Sequence, residues 1–179
     1  MKPILRLAAA GLVAVLVCGV IPLGQATAQL AKLQGTYLLD DPAAMPKIKK
    51  AVDKVADQMG FFAASIARDR LMEANKPAQK LVITVSGNEA TTRFDNDQAI
   101  RTTADGSTVD WTRDNGEKVR VTTSWQGETL KRAVSSKDAT RVSSFSLDAT
   151  GNVLTLDVEI TSEHLPQPLI YKLIYQRNG

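Results

Sequence analysis

From Val109 to Arg177, apolar and polar positions alternate with a period of two, interrupted by short clusters of turn-forming residues. Leu154, Leu156, Val158 and Ile160 share one side of a run whose other side carries Thr155, Asp157, Glu159 and Thr161. Val119, Val121 and Trp125 stand opposite Lys118, Arg120, Thr122 and Ser124 in the same way. Successive side chains of a strand point to opposite faces, so this pattern predicts antiparallel strands with one face on a core and one in water. The breaks fall at Asp114-Asn115-Gly116, Gln126-Gly127, Ser136-Lys137-Asp138 and Thr150-Gly151-Asn152. That spacing, about 8–12 residues, marks an all-β sandwich or barrel.

The strands predicted here cover 117–125, 128–135, 140–147, 152–161 and 169–177. Upstream, 33–39, Lys80–Val85, Ala90–Phe94, Gln98–Thr102 and Thr108–Thr112 add five more. Between the first two the period changes. Ile48, Val52, Val55, Met59, Phe62 and Ile66 recur every three or four residues, a helical stripe, while Lys47, Lys49, Lys50, Asp53, Lys54 and Asp57 cover the other side. Asp40-Asp41-Pro42 supplies an N-cap and an early proline, Gly60 divides the run into two helices, and Asn75-Lys76-Pro77 stops it. The expected fold is mainly β: a ten-stranded antiparallel up-and-down β-barrel with a helix-turn-helix between strands 1 and 2. Closure removes exposed sheet edges.

Residues 1–28 stand apart. Lys2 and Arg6 precede an uncharged apolar run from Leu7 to Leu23, and Gln25-Ala26-Thr27-Ala28 ends in a small-x-small site. This predicts a signal peptide cleaved after Ala28, hence export to the periplasm or the extracellular space. No stop-transfer sequence follows, so no membrane span is expected after cleavage. Removing 28 of the 179 residues leaves 151, a single domain over 29–179 large enough for a proper core. The formal charge falls from +3 to +1 as Lys2 and Arg6 leave, and the remaining charges are interspersed, which argues against nucleic acid as a partner. The one cysteine, Cys18, goes with the leader; preceded by Val17, it reads as apolar filler, not a lipid-attachment site. The mature chain therefore has neither disulfides nor thiolate chemistry. His164 is the sole histidine, in a polar loop beside Glu163, so neither a metal centre nor a cofactor is expected. Nucleophile-elbow, phosphate-loop and zinc-protease motifs are absent, and an enzyme is not expected.

Arg132 shares a strand face with Leu130 and Val134. An arginine there either reaches a rim or an acid at a strand end, or meets a ligand anion, because an unpaired buried charge is costly. Arg141, in phase with Phe145 and Leu147, invites the same two readings. Tyr171 and Tyr175 lie in phase with Leu169 and Leu173, so their hydroxyls serve a ligand head group or are satisfied within the core. Phe61 and Phe62 sit at the helical break, where they either gate a barrel mouth or plug the core.

Ten antiparallel strands with a helix-turn-helix after the first resembles the order of the fatty-acid-binding proteins, relatives of the lipocalins. Gly35-Thr36-Tyr37 resembles the Gly-x-Trp of the superfamily's first strand, and Trp125-Gln126-Gly127-Glu128-Thr129 resembles the Trp-x-Gly turn before the strand with an inward Arg or Gln. Arg132 lies near that inward position. Tyr171-Lys172-Leu173-Ile174-Tyr175 resembles the closing strand with its Arg-x-Tyr carboxylate grip, with Leu173 in the arginine's place. The chain is also similar to secreted bacterial proteins of unassigned function. The resemblance implies that Arg177 packs over Tyr37 and closes the barrel. With the leader and the inward polar residues, this topology leads to the expectation of an exported binding protein for a lipid-like or other apolar small molecule held in the interior, with Arg132, Tyr175, Tyr171, Phe62 and Arg141 as ligand-binding residues. The alternative is a structural or interaction protein of the cell envelope with a filled barrel.

Overall fold

The computed structural model describes residues 28 and 30–179; the predicted leader, with its apolar run and Cys18, lies outside the described residues except for Ala28. Strand β1 (Gly35–Leu39) is followed by helices α1 (Ala44–Ala56) and α2 (Phe61–Ala74). Nine strands then run without further helices: β2 (Lys80–Ser86), β3 (Glu89–Phe94), β4 (Ile100–Thr103), β5 (Asp105–Thr112), β6 (Lys118–Gln126), β7 (Thr129–Ser135), β8 (Ala139–Leu147), β9 (Val153–Ser162) and β10 (Leu169–Asn178). They form one sheet in the order β4-β3-β2-β1-β10-β9-β8-β7-β6-β5, every adjacent pair antiparallel. The sheet curls into a nearly closed barrel, with the helical pair inserted between β1 and β2 as the periodicity predicts. At the seam between its two ends, Thr102 of β4 and Thr123 of β6 share a hydroxyl–hydroxyl hydrogen bond of 2.8 Å.

Local chemistry explains the connections. β6 and β7 pair through Gln126↔Thr129, which leaves Gly127-Glu128 as a two-residue loop, and Gly127 has the φ of +61° that such a loop needs. Gly35 makes room for a side chain instead. A Cβ there would stand 2.5 Å from Arg177 Nη1, because the guanidinium crosses directly over this position. Arg177 lies 4.8 Å above the centroid of the Tyr37 ring and donates hydrogen bonds to the carbonyls of Gly151 (2.8 Å), Gln34 (2.5 Å) and Lys32 (2.7 Å). It ties the β9, β10 and β1 ends together, as the resemblance implies.

The apolar core fills the side of the barrel under α1. Leu154, Leu156 and Val158 of β9 face Tyr175, Leu173 and Tyr171 of β10 in register, all buried. Ile48, Val52 and Val55 of α1 seal that layer. Each fully buried aliphatic side chain there contributes about 1.5–3 kcal/mol.

Two details depart from expectation. Helix α1 begins at Ala44, not at the Asp41-Pro42 step, and its N-cap Ala43 makes no side-chain bond. Asp41 instead closes a turn just ahead of the helix: its carboxylate accepts from the Ala43 N–H and from Lys47 Nζ. The helical stripe also fails to continue past the break. Residues 57–60 reset the phase, so α2 turns Ala64 inward and leaves Phe61, Phe62 and Ile66 exposed. No helix among the described residues is long and apolar enough to cross a membrane.

Candidate functional site

The inner faces of β3, β4, β6, β7 and β8 break the apolar pattern. Thr92, Thr102, Thr123, Arg132 and Ser143 are all buried there. Arg132, only 2% exposed, is their centre. Its Nε donates to Thr123 Oγ1 at 3.2 Å and its Nη2 to Thr102 Oγ1 at 3.5 Å, while Nη1 donates to Thr92 Oγ1. Hydroxyls orient the guanidinium but do not neutralise it. Among the described residues no carboxylate lies within ion-pairing distance of it, so the reading in which it meets an acid at a strand end is ruled out, as is extension to a rim. Burial lowers its pKa to about 10, which still leaves it cationic at neutral pH.

Arg132 borders a cavity of about 460 Å³ that opens at the barrel end carrying the β3–β4 and β5–β6 turns and the segment after α2. Phe94, Ile100, Trp111, Val134 and Phe145 give it apolar walls, with Phe94 and Phe145 stacked at 6.5 Å between centroids. Arg141 enters from β8. Its Nη2 donates to the Tyr171 hydroxyl at 3.2 Å and its Nη1 to Asn75 Oδ1 at 3.4 Å. Asn75 follows α2 directly; its Nδ2 donates to Leu71 O at 2.8 Å and its Oδ1 accepts from the Tyr171 hydroxyl at 3.0 Å. A single amide thus joins the end of α2 to the barrel wall and to a cavity arginine. Burial raises the Tyr171 pKa, against the opposing charge of Arg141, so its hydroxyl stays protonated. Two larger depressions, of about 710 and 740 Å³, lie over α1 and at the Arg177 end. The first has no arginine and the second only Arg177, which is part-exposed and taken up by three backbone carbonyls, so the cavity inside the barrel, with the buried Arg132, is the candidate site.

With ten strands in this order and the helical pair after β1, the architecture is decided. The chain has the fatty-acid-binding-protein fold. No protein-family model and no curated sequence matches it. Among solved structures it resembles a fatty acid transporter designated REP1-NXSQ, at a TM-score of 0.53 and 17% identity over 83% of this chain and 98% of that one. Fatty-acid-binding protein 1 of Echinococcus granulosus matches at 0.53 and 11% identity, covering 83% of this chain and 99% of that chain. A secretory abundant heat soluble protein of Ramazzottius varieornatus matches at 0.54 and 10%, covering 82% and 96%. At these identities the likeness is one of fold.

Within this fold the expected binding residues separate into three groups. Arg132 and Arg141 line the cavity. Tyr171 stands behind Arg141, bonded to it. Tyr175 is fully buried, donates to the Ala78 carbonyl at 3.0 Å and lies outside the cavity lining, which makes it a core residue. Phe62 is 84% exposed at the start of α2 and is likewise not among the lining residues. The residues that sequence reasoning missed are Thr92, Thr102, Thr123, Ser143 and Asn75. The four hydroxyls are in phase with inward apolar neighbours, such as Thr123 with Val119 and Val121, and that phase was the available signal. Asn75 carried only the signature of a helix stop. Asp138, Glu163 and His164 come within 4.8 Å of one another through exposed turns, and none of the three is among the cavity-lining residues.

Proposed function

We propose that the protein is an exported carrier that binds an amphiphilic anion. The apolar portion of the ligand lies against Phe94, Ile100, Trp111 and Phe145, and its anionic group meets Arg132. The observation that carries this reading is a cation buried in a cavity with hydroxyls around it and, among the described residues, no acid within ion-pairing distance. An uncompensated buried charge costs several kcal/mol, and a chain that keeps one supplies a place for an opposite charge from outside. The similar structures include a named fatty acid transporter and a named fatty-acid-binding protein, which supports a ligand of this kind. The cavity also weighs against a barrel filled throughout. Export rests on the leader alone, and N-terminal sequencing of the secreted product tests it by returning Gln29 first.

Titration of the purified protein with dodecanoate, followed by calorimetry or by the fluorescence of Trp111, tests the binding. Saturable one-to-one binding is expected, weakened at least about a hundredfold in Arg132→Met, the scale for leaving one side of a buried charge pair unmade. Equal binding by the variant would refute the role of Arg132.

A further inference from the structure

The carrier reading needs one cation, yet two of the four that line the cavity, Arg132 and Arg141, lack an acid partner among the described residues, whereas Lys76 is held by Glu73. Arg132 pairs with Ser143 across the β7–β8 ladder and Val134 pairs with Arg141, so the two arginines are diagonal neighbours on the same inner face. Such positions lie about 7–8 Å apart at the backbone, near enough for two long side chains to reach one small group. Ser143 lies between them. Neither arginine forms an ion pair among the described residues. The third arginine in the lining, Arg113, is already held by Glu117 at 2.6 Å. The acids in the lining, Asp97 and Asp114, are exposed in the β3–β4 and β5–β6 turns and approach neither Arg132 nor Arg141 within bonding distance.

Donor capacity matches the charge. A guanidinium has five N–H groups. Arg132 directs three toward hydroxyls and Arg141 directs two toward Asn75 and Tyr171, so both keep donors for a ligand. A monocarboxylate offers two oxygens and a single negative charge, leaving one of the two cations uncompensated. A phosphate monoester offers three terminal oxygens and close to two negative charges at neutral pH. We propose that Arg132 and Arg141 form a two-cation head-group station, and that the ligand is an amphiphile with a dianionic phosphate monoester head. This rests on the carrier reading and narrows it.

Calorimetry at pH 8 on the intact protein separates the two. The probes are dodecyl phosphate, dodecanoate, methyl dodecyl phosphate (the same head with one charge fewer) and inorganic phosphate. Dodecyl phosphate is expected to bind at least about tenfold more tightly than dodecanoate or the methyl diester, as two charge-assisted contacts exceed one. In Arg141→Gln that ratio collapses toward one, whereas Arg141→Lys, which keeps the charge, retains part of it. Circular dichroism establishes that both variants are folded. Equal affinity for the phosphate and the carboxylate, or a ratio that survives Arg141→Gln, overturns the station and leaves the carrier standing. Failure of both amphiphiles removes the carrier and the station together. Inorganic phosphate binding as tightly as dodecyl phosphate overturns the amphiphile as ligand.

Discussion

The two sides of this barrel were built from the same alternating pattern and serve opposite ends. On the β9–β10 side, Leu154, Leu156, Val158, Leu173 and Tyr175 leave no polar atom unsatisfied and α1 closes over them. On the β3–β8 side, Thr92, Thr102, Thr123, Arg132 and Ser143 stand at equivalent inward positions, and Thr92, Arg132 and Ser143 line a cavity. The first side holds the fold together by removing apolar surface from water. The second gives stability away, since it buries a charge and leaves space unfilled. Stability and binding are thus allotted to different strands of one sheet, and changes on the two sides should have opposite signs.

The sharpest way to break this comparison is a cavity on the filled side. Leu156→Ala is expected to destabilise the protein by about 2–5 kcal/mol, read from urea denaturation, because the surrounding layer cannot collapse into the gap. A cost under about 1 kcal/mol would mean that the β9–β10 layer is not the tight one. The complementary change is Arg132→Met, which replaces a buried unneutralised guanidinium with an apolar side chain of similar reach. Its effect on the ligand-free protein is expected to range from neutral to a gain of about 1–4 kcal/mol, even as it weakens anion binding at least about a hundredfold. A large loss of stability instead would show that the hydroxyl cluster needs the guanidinium as its organiser.

The smallest effect concerns the helices that cover the filled side. The hydrogen bond from Lys49 holds the Asp53 carboxyl below the usual carboxylate range against an opposing desolvation, and the charges of Lys49 and Arg68 add smaller contributions. Through Arg68 this carboxylate links α1 to α2. With the folded pKa below the unfolded one, its contribution is fully present above the unfolded value of about 4 and is lost as pH falls through the folded value. Asp53→Asn is therefore expected to lower the melting temperature slightly at pH 7, with a difference that shrinks on acidification below about pH 4. A difference independent of pH would assign the effect to something other than the charge.

Much of this was legible along the chain. The ten strands and the two helices follow from changes of period at identifiable turn residues, and Arg177 over Tyr37 follows from the resemblance of the first and last strands. Arg132 was marked by its phase with Leu130 and Val134. Phe62 was misplaced because its spacing from Val55 and Met59 continues a helical stripe on paper, whereas residues 57–60 turn the chain and start a new phase. Tyr175 and Tyr171 look alike in sequence, two turns of the pleat apart, yet one reaches the Ala78 carbonyl and the other a cavity arginine.

What the sequence determined by itself is which side chains face inward, because the direction of a side chain in a strand is a local property with a period of two. What the tertiary structure alone decided is which inward residues meet. Arg132 finds Thr92 forty positions away and Thr102 thirty positions away, and Arg141 finds Asn75 sixty-six positions away. Those meetings depend on how the sheet curls and where its two ends approach, which is set by the packing of all ten strands at once. That no acid among the described residues stands beside Arg132 and Arg141 is a fact of that same closure, and with it the case for an anionic ligand.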